Sequence, residues 1–449
     1  MRIFYKLNEI GKDDMCRILF SIMLIAVPLI SGVADAQIRL PSLPLPTPSI
    51  GDLPEARTSI RNTEIGVDTR MLIGVRITRQ REQVRRYPDI LELDPAGSTV
   101  VRGQLVAIGP SAEALAAIVA AGFLVAGERE LAGLETKVVI LRPPLNLTLV
   151  AALARLREID PVGIYDYNHI YSDSGNVTAL QFAPAAQRDS AGGSAASSAI
   201  RIGLIDGGVD RSHPALRNTT INQWGCAGKN VTSAHGTAVA SIMAGYAGKF
   251  QGVAPNATLY AADVYCGAPA GGAVDAIVEA LAWMARERVA VINLSLVGPP
   301  NLTLERILKI ISARGHIVVA AVGNDGPAAP PLYPAGYAEV VAVTAVDARQ
   351  RVLPEACRGP HVAFAAPGSE MVAADDKGRL VEVRGTSFAA PIVAALLARE
   401  LTVPDRAVAA WVIAALAKEA TDLGASGRDP VFGYGLVGMK YRNPPQRAR

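Results

Sequence analysis

The sequence predicts a doubly wound α/β domain, with a mostly parallel sheet and helices on both faces, preceded by a small α+β domain. Beyond residue 200, short β-branched runs alternate with helical stretches. Strands that are apolar on both faces are typical of a parallel sheet covered on both sides. Residues 99–171 show instead a β-α-β-β-α-β order, the ferredoxin-like split arrangement. With 449 residues, 50% of them hydrophobic, the chain is long enough for two cores.

The N-terminus has the pattern of a signal peptide over residues 1–36. Basic residues precede an apolar run at 18–33, and Ala34-Asp35-Ala36 supplies the small residues of a cleavage site. We expect cleavage after Ala36 and export, either to a periplasm or out of the cell. A membrane anchor is the alternative, but the run contains Pro28 and is too short to span a bilayer comfortably. Translation could also start at Met15.

Composition sets the other boundaries. Prolines between 41 and 54, followed by a charged stretch, predict a linker over 37–98. Ala, Ser and Gly dominate 190–198, so we interpret 172–199 as a connector. The large domain then covers 200–440, and residues 441–449 form a tail without a core pattern.

The pattern of apolar residues places the elements of each domain in order. In the small domain it predicts strands near 100–108, 123–130, 136–142 and 163–170, and helices at 111–121 and 147–159. In the large domain it predicts strands at 200–205, 257–264, 289–294, 317–322 and 340–346, and helices at 235–246, 273–287, 303–314, 387–400 and 404–419. Reactive groups in such sheets collect just past the carboxyl ends of the strands.

Three short motifs lie where that rule expects chemistry. Asp206 ends an apolar strand at a glycine turn, His235 begins a helix in His-Gly-Thr-Ala, and Ser387 lies in Gly-Thr-Ser-Phe-Ala-Ala-Pro at the start of another helix. Each has a simpler explanation when taken alone: a turn former, a structural histidine and a helix N-cap. The other histidines lack comparable surroundings and are interpreted as structural: His169, His213, His316 and His361.

Together and in this order, the three motifs resemble those of the subtilisin-type serine peptidases, over about residues 200–440. The resemblance implies that Asp206 orients His235, which takes the proton of Ser387 for attack on a peptide carbonyl. It also makes Asn324 the side-chain donor of the oxyanion hole. The small domain would then be a propeptide, and the connector would hold the maturation site of a self-processing zymogen. Polypeptide substrates and the chain's own propeptide are the implied partners.

The resemblance also implies a substrate cleft. Its binding residues would be Leu294, Ser295, Leu296, Val297 and Gly298, which pair with an extended substrate, together with Ala320, Ala321, Gly323 and Leu332 around the specificity pocket. Val297 stands where glycine is common and Leu332 lies at the floor, so we expect a shallow pocket that prefers small or medium apolar side chains. Asp325 at the rim disfavours acidic residues.

The sequence also leads to expectations about disulfide pairing and metal binding. We favour a Cys226–Cys266 disulfide with Cys357 as a free buried thiol, although all three could be free. No cofactor and no metal are expected, because the loop 246–250 lacks the oxygen ligands of the calcium site that is common in the family. Gly207 also departs from the family pattern, in which a Ser or Thr commonly supports the catalytic Asp.

Other classes of function are less favoured. The 44 basic and 41 acidic residues include no dense basic cluster, which argues against nucleic-acid binding, and a monomer is expected. A lipase-like hydrolase would need a second glycine after Ser387 that is not there. The alternative is a catalytically silent binding or scaffold protein on the same fold. An active enzyme should gain activity in a single step near neutral pH, since His235 must lose a proton.

Overall fold

The computed structural model describes residues 69–173, 176–181 and 200–445, all within one compact unit that covers 64–449. The signal peptide expected at 1–36 and most of the connector expected at 172–199 lie outside the described residues. None of the helices in the described part is long and apolar enough to cross a membrane.

The small domain has the ferredoxin-like order of strands. Its elements are α1 (Thr69–Arg86), β1 (Leu91–Leu93), β2 (Thr99–Ile108), α2 (Ala112–Ala120), β3 (Leu124–Leu131), β4 (Thr136–Arg142), α3 (Leu149–Ile159) and β5 (Ile164–His169). Strand β2 pairs with β4 on one side and β5 on the other, and β3 pairs with the far edge of β4, all antiparallel. Ser111 and Thr148 cap the two helices, which pack on one face of the sheet.

Helix α1 and strand β1 correct the linker expected at 37–98. Strand β1 pairs antiparallel with the start of β2 and completes a five-stranded sheet. The sequence did not predict either element, because both are stabilised by contacts with residues far away in the sequence. Leu91 is fully buried in a cluster with Ile170 and Ala273, while the strongly basic α1 packs on the large domain through Ile73.

The large domain has the expected doubly wound sheet. Its helices are α4 (Ala234–Ala244), α5 (Val274–Arg286), α6 (Leu302–Ala313), α7 (Thr386–Glu400) and α8 (Arg406–Glu419). Between the domains lie β6 (Ser172–Asp173) and β7 (Asn176–Gln181), and then come β8 (Arg201–Asp206), β9 (Ile221–Trp224), β10 (Tyr246–Ala247), β11 (Phe250–Gln251), β12 (Thr258–Asp263), β13 (Val291–Leu294), β14 (Leu296–Val297), β15 (Ile317–Ala321), β16 (Val340–Val346), β17 (Val362–Pro367), β18 (Met371–Ala374) and β19 (Leu380–Arg384).

Seven parallel strands form the central sheet in the order β17-β16-β15-β13-β8-β12-β9. Helices α4, α7 and α8 contribute to the apolar core on one face, and α5 and α6 to the core on the other. The central strands β8, β13 and β15 are apolar and almost completely buried, as a sheet covered on both sides requires. Their carboxyl ends point to the same edge and place Asp206, Ser295 and Asn324 there.

The outer face of the small domain's sheet packs against the large domain. Val106, Ile108, Val138 and Ile140 belong to the same buried cluster as the apolar residues of α5 and α6. The two domains therefore share a core.

The structure corrects the boundaries expected for the connector and for the C-terminal tail. The connector begins with two strands, because β6 pairs with β14 and β7 pairs with β19, both antiparallel. The tail expected at 441–449 is docked at its start, where Asn443 accepts from Val372 N at 2.8 Å and exchanges hydrogen bonds with Gln251. Neither segment has a periodic pattern of its own. Each is ordered by partners that lie far away in the sequence, so the sequence has no local signal for it.

Candidate active site

Asp206 and His235 form a buried pair at the carboxyl end of β8. His235 Nδ1 lies 2.9 Å from Asp206 Oδ1 and 3.0 Å from Oδ2, and the two residues are 4% and 1% exposed. A carboxylate can only accept a hydrogen bond, so Nδ1 carries the proton and Nε2 is left as the basic nitrogen of the neutral ring. Nε2 is buried and has no hydrogen-bond partner among the described residues.

The turn after Asp206 lies very close to the start of α4. A Cβ atom at Gly236 would lie 2.1 Å from Gly207 O, and one at Gly207 would lie 2.6 Å from the Cβ of Ser233. Ser233 is the N-cap of α4, and its hydroxyl accepts from Gly236 N at 3.3 Å. A hydroxyl side chain at position 207, which the resemblance to the subtilisin-type peptidases leads us to expect, would therefore overlap Ser233. Asp206 Oδ1 accepts instead from Gly207 N at 2.6 Å.

The His235 imidazole is held in its charged form. Burial lowers the pKa of His235, but the charge of Asp206 and the hydrogen bond to it raise the pKa more, to about 9. The carboxylate of Asp173, in β6, contributes further in the same direction. The His235 ring therefore loses its second proton only above neutral pH. Because Asp173 lies in β6, this holds as long as β6 stays in place.

Ser387 lies in the first turn of α7, where it is fully buried. Its Oγ donates to Ser295 O at 3.3 Å, and its own carbonyl accepts from Ser295 Oγ at 3.0 Å. The next residue, Phe388, contacts the His235 ring at a centroid distance of 5.4 Å. The N-cap of α7 is Gly385, with φ 138°, so Ser387 does not cap the helix.

Asn324 follows β15 and faces the same helix start. Its Oδ1 accepts from Thr386 N at 3.2 Å, and the Nδ2 of the same amide is a donor. Thr386 also accepts from Gly323 N at 3.2 Å through its hydroxyl. The amide side chain and the first turn of α7 are thus linked at the edge of the sheet where Asp206, His235 and Ser387 lie.

A sequence model described as the subtilase family matches residues 197–435, more than half of the chain, and this range includes all four of these residues. The chain belongs to the subtilase family.

Individual relatives match different shares of the chain. Subtilisin DY of Bacillus licheniformis is 32% identical over 250 residues, which cover 54% of this chain and 89% of the relative. Minor extracellular protease Epr of Bacillus subtilis (strain 168) is 31% identical over 211 residues, or 46% of this chain and 32% of Epr. This chain thus spans about a third of the length of Epr.

The fold is shared with a solved structure that covers more of the chain. Fervidolysin from Fervidobacterium pennivorans, described as a keratinolytic enzyme related to subtilisin, aligns with a TM-score of 0.61 at 20% identity. The alignment covers 80% of this chain and 63% of fervidolysin. It therefore extends beyond the range that the subtilase model matches.

The residues expected to form the substrate cleft lie in and beside β14. Leu296 and Val297 are its two residues, with Leu294 at the end of β13 before it and Gly298 bridged to Tyr333 after it. Strand β14 is paired with β6 of the chain itself, in the register Leu296↔Asp173 and Val297↔Ser172. An extended segment of the chain thus lies along the expected substrate-binding strand.

Two of the side chains expected to line the specificity pocket, Val297 and Leu332, lie close to Gly323. A Cβ atom at Gly323 would lie 2.5 Å from Leu332 Cδ1 and 3.5 Å from Val297 Cγ1, and both side chains are almost fully buried. Ala320 and Ala321, at the end of β15, are fully buried in the cores on opposite faces of the sheet. Asp325 at the rim is covered by Arg76 of α1.

The structure contains a disulfide between Cys226 and Cys266, and Cys357 is a free buried thiol. Burial raises the pKa of Cys357 to about 12, which keeps the thiol protonated. In the described part of the chain, Cys226, Cys266 and Asp263 are close enough to share a metal ion, but both sulfur atoms are joined to each other. Residues 246–250 belong to the β10–β11 hairpin.

The remaining histidines lie outside this site. His213 bonds to Arg379 O, His316 to Val289 O, and His169 to Asp94 and Asn301, whereas His361 is half-buried, and burial and the charge of Arg428 lower its pKa. None of the four contacts Asp206 or Ser387 in the described structure.

Two features of the site were not predicted from the sequence. Asn293 Nδ2 donates to Ser295 Oγ at 2.8 Å, so Asn293 and Ser295 together hold the backbone of Ser387. The motif Asn-Leu-Ser at the end of an apolar strand could have indicated this. Asp173, which contributes to the charge around His235, lies in a connector without any pattern and gave no such signal.

Proposed function

We propose that this subtilase is an exported endopeptidase made as a self-processing zymogen, which hydrolyses peptide bonds through an acyl-enzyme on Ser387. The observation that carries the proposal is the buried Asp206–His235 pair beside Ser387, with a protonated Nδ1 and an unpartnered Nε2. His235 Nε2 takes the proton of Ser387 Oγ as this oxygen attacks the substrate carbonyl, and then returns it to the leaving amine.

Asn324 serves this reaction as an electrostatic donor. Its Oδ1 accepts from Thr386 N, and its Nδ2 donates to the oxygen that becomes negative when the carbonyl is attacked. The backbone N–H of Ser387 is the second donor. Loss of the matching side-chain donor in subtilisin costs about 100- to 1,000-fold in kcat, and we expect a similar loss for Asn324→Ala.

Substrates bind by adding a strand to β14. Main-chain hydrogen bonds provide affinity in this mode without selecting sequence, which suits an endopeptidase that acts on unfolded stretches. The pairing of β6 with Leu296 and Val297 supports the proposal, since the chain's own segment uses the same edge.

The small domain acts as an inhibitory propeptide and folding template. Asp166 Oδ2 accepts from Leu302 N at 2.7 Å at the start of α6, and Asn168 bonds to Asp275 in the first turn of α5. Carboxylates are stabilised at helix N-termini by the free N–H groups and the helix dipole. The domain is thus held on α5 and α6 by directional contacts as well as by the shared apolar core.

Export and the monomeric state rest on other observations. The basic and apolar pattern at 1–36 supports export, and the name of Epr describes that relative as extracellular. We propose a periplasmic or extracellular monomer. Secretion assays with and without residues 1–36, followed by size determination of the exported product, test both points.

A fluorophosphonate probe separates the enzyme from a silent scaffold on the same fold. The probe reacts with a serine only if a neighbouring base activates it. Processed wild-type protein should be labelled on Ser387, while Ser387→Ala and His235→Ala should remain unlabelled. A folded wild-type protein that is freed of its small domain and still does not react would contradict the proposed function.

A further inference from the structure

Two cysteines and an aspartate come together at the carboxyl ends of β9 and β12. The sulfur atoms of Cys226 and Cys266 and a carboxylate oxygen of Asp263 all lie within 4.8 Å of one another. Cys226 Sγ is 3.1 Å from Asp263 Oδ2. Because the two sulfur atoms are joined in a disulfide, neither has a proton to donate to this oxygen. The carboxylate thus faces the two sulfur atoms without a hydrogen bond from either.

The backbone holds these residues in place by contacts other than the disulfide. Strands β9 and β12 are parallel neighbours in the central sheet. A hydrogen-bonded turn follows each of them, in which Gly228 N donates to Gly225 O at 3.0 Å and Ala268 N donates to Tyr265 O at 2.9 Å. After reduction, the two thiols would therefore remain beside Asp263.

The Asp263 carboxylate is oriented by backbone N–H groups. Its Oδ1 accepts from Tyr265 N and from Cys266 N, both at 2.9 Å, and Gly208 N also donates to the carboxylate. The residue is 8% exposed. Hydrogen bonds of this kind fix the orientation of a carboxylate that binds a metal ion. One ligand of a metal site is therefore already positioned, with two sulfur atoms next to it.

We propose that the reduced form of the protein binds a zinc ion through Cys226, Asp263 and Cys266. Two thiolates and a carboxylate suit Zn²⁺, which binds sulfur and oxygen ligands in tetrahedral sites. With the usual bond lengths, ligand atoms around such an ion lie about 3.6–3.8 Å apart. Once the disulfide is broken, small side-chain movements reach this spacing from the present one. The inference does not depend on the proposed peptidase reaction.

The conversion requires a dithiol reductant and a divalent ion. The two sulfur atoms of the reductant form a disulfide, and its two electrons and two protons turn Cys226 and Cys266 into thiols. Zn²⁺ then displaces the two thiol protons to solvent and is bound by two thiolates and the carboxylate, with no change in its oxidation state. The ion thus joins the same two turns that the disulfide joins, under reducing conditions in which disulfides do not persist.

A cavity beside Asp263 provides room for a fourth ligand. Its volume is about 190 Å³, and its lining includes Gly225 and the basic residues Arg211 and Lys229. Zinc sites with three protein ligands take a water molecule as the fourth. Neighbouring cations favour the thiolate form of cysteine. They also balance the single negative charge that remains when two thiolates and a carboxylate bind Zn²⁺.

Cobalt and zinc binding to the full chain test the site. The chain carries Ser387→Ala to exclude self-processing, and it is reduced with dithiothreitol and then separated from the reductant without oxygen. One equivalent of Co²⁺ should produce thiolate-to-cobalt charge-transfer absorption, and Zn²⁺ should abolish it by displacement. Zinc at about 100 times its Kd should raise the Tm of the reduced chain by about 5–10 °C. The oxidised chain should show neither effect.

Two variants separate this site from other metal binding. Cys226→Ser with Cys266→Ser is the matched control, because it keeps the buried Cys357 thiol, and it should give no charge-transfer absorption. Asp263→Asn keeps the size of the side chain without its charge and should weaken binding at least about tenfold.

Three results would overturn the inference. They are a reduced chain without the cobalt absorption or without a rise of Tm in zinc, equal binding by the double cysteine variant, and unchanged affinity in Asp263→Asn. None of them bears on whether Ser387 hydrolyses peptide bonds, which the fluorophosphonate probe decides.

Discussion

Arg76 Nε lies 2.6 Å from Asp325 Oδ2, and this ion pair ties helix α1 to the residue that follows Asn324. Both side chains are largely buried, at 25% and 13% exposure. Burial raises the pKa of Asp325, while the charges of Arg76 and Arg79 lower it again in part. Further along the helix, Gln83 donates to Pro269 O at 3.3 Å. Helix α1 therefore contacts the large domain at two places near the cleft.

We expect Arg76→Ala to weaken the hold of the propeptide on the processed enzyme. The change leaves the partly buried Asp325 carboxylate without its nearest counter-charge, which costs more than the roughly 0–1 kcal/mol of an exposed pair. The lag before hydrolysis of an added peptide should shorten about tenfold. Arg81→Ala, on the exposed side of the same helix, is the control and should keep the wild-type lag. Equal lags in both variants would show that α1 does not restrain release.

The rate of self-processing should rise with pH through a step near 9. The raised pKa of His235 means that the ring is mostly protonated, and therefore not a base, at neutral pH. Below that pKa the fraction of neutral ring grows about tenfold per pH unit. This lies above the step near neutrality that the sequence alone leads us to expect. Single-turnover processing rates of the refolded chain between pH 6 and 10 would measure it.

Asp173→Asn is the informative variant for this pH dependence. It removes one of the charges that raise the pKa of His235, so the step should move to lower pH, without loss of the Asp206 contact. A rate that is flat from pH 6 to 10 would contradict the role of His235 as the base.

Reduction should destabilise the protein more than chelation does. The disulfide joins residues that are 40 apart, and closing such a loop contributes about 4 kcal/mol in the chain-entropy model. Dithiothreitol should therefore lower Tm by about 8–16 °C in a domain of this size, while EDTA should have little effect. The double variant Cys226→Ser with Cys266→Ser should no longer respond to dithiothreitol. A large fall of Tm in EDTA would indicate a calcium site.

Opening the specificity pocket should broaden the choice of substrate. Removal of the side chains beside Gly323, in Val297→Gly with Leu332→Ala, should raise kcat/KM for peptides with Phe or Tyr before the cut by about 10- to 100-fold relative to Ala. A ratio of two substrates is the proper readout, because a buried Leu→Ala change also costs about 2–5 kcal/mol of stability. A wild-type preference for Phe or Tyr would refute the shallow pocket.

The parts of the fold that the sequence predicts are those with a local cause. Strand β8 is apolar on both faces and ends at a glycine turn, so Asp206 could be placed at the edge of the sheet from its neighbours alone. Helix α1 and strand β6 have no such cause. One is mostly polar and basic and the other has two residues, and each is ordered by contacts with residues more than a hundred positions away. Segments of this kind are recognised by their partners and not by their own pattern.

Gly207 has no side chain, and the side chain of Ser233 lies in the space beside it. Because Ser233 occupies the volume that a side chain at 207 would need, a hydroxyl cannot be restored beside Asp206 by changing Gly207 alone. Its introduction would require the removal of Ser233, and with it the cap of the helix that carries His235. The dependence runs in one direction in evolution and in engineering: position 207 can gain a side chain only if Ser233 changes first or at the same time.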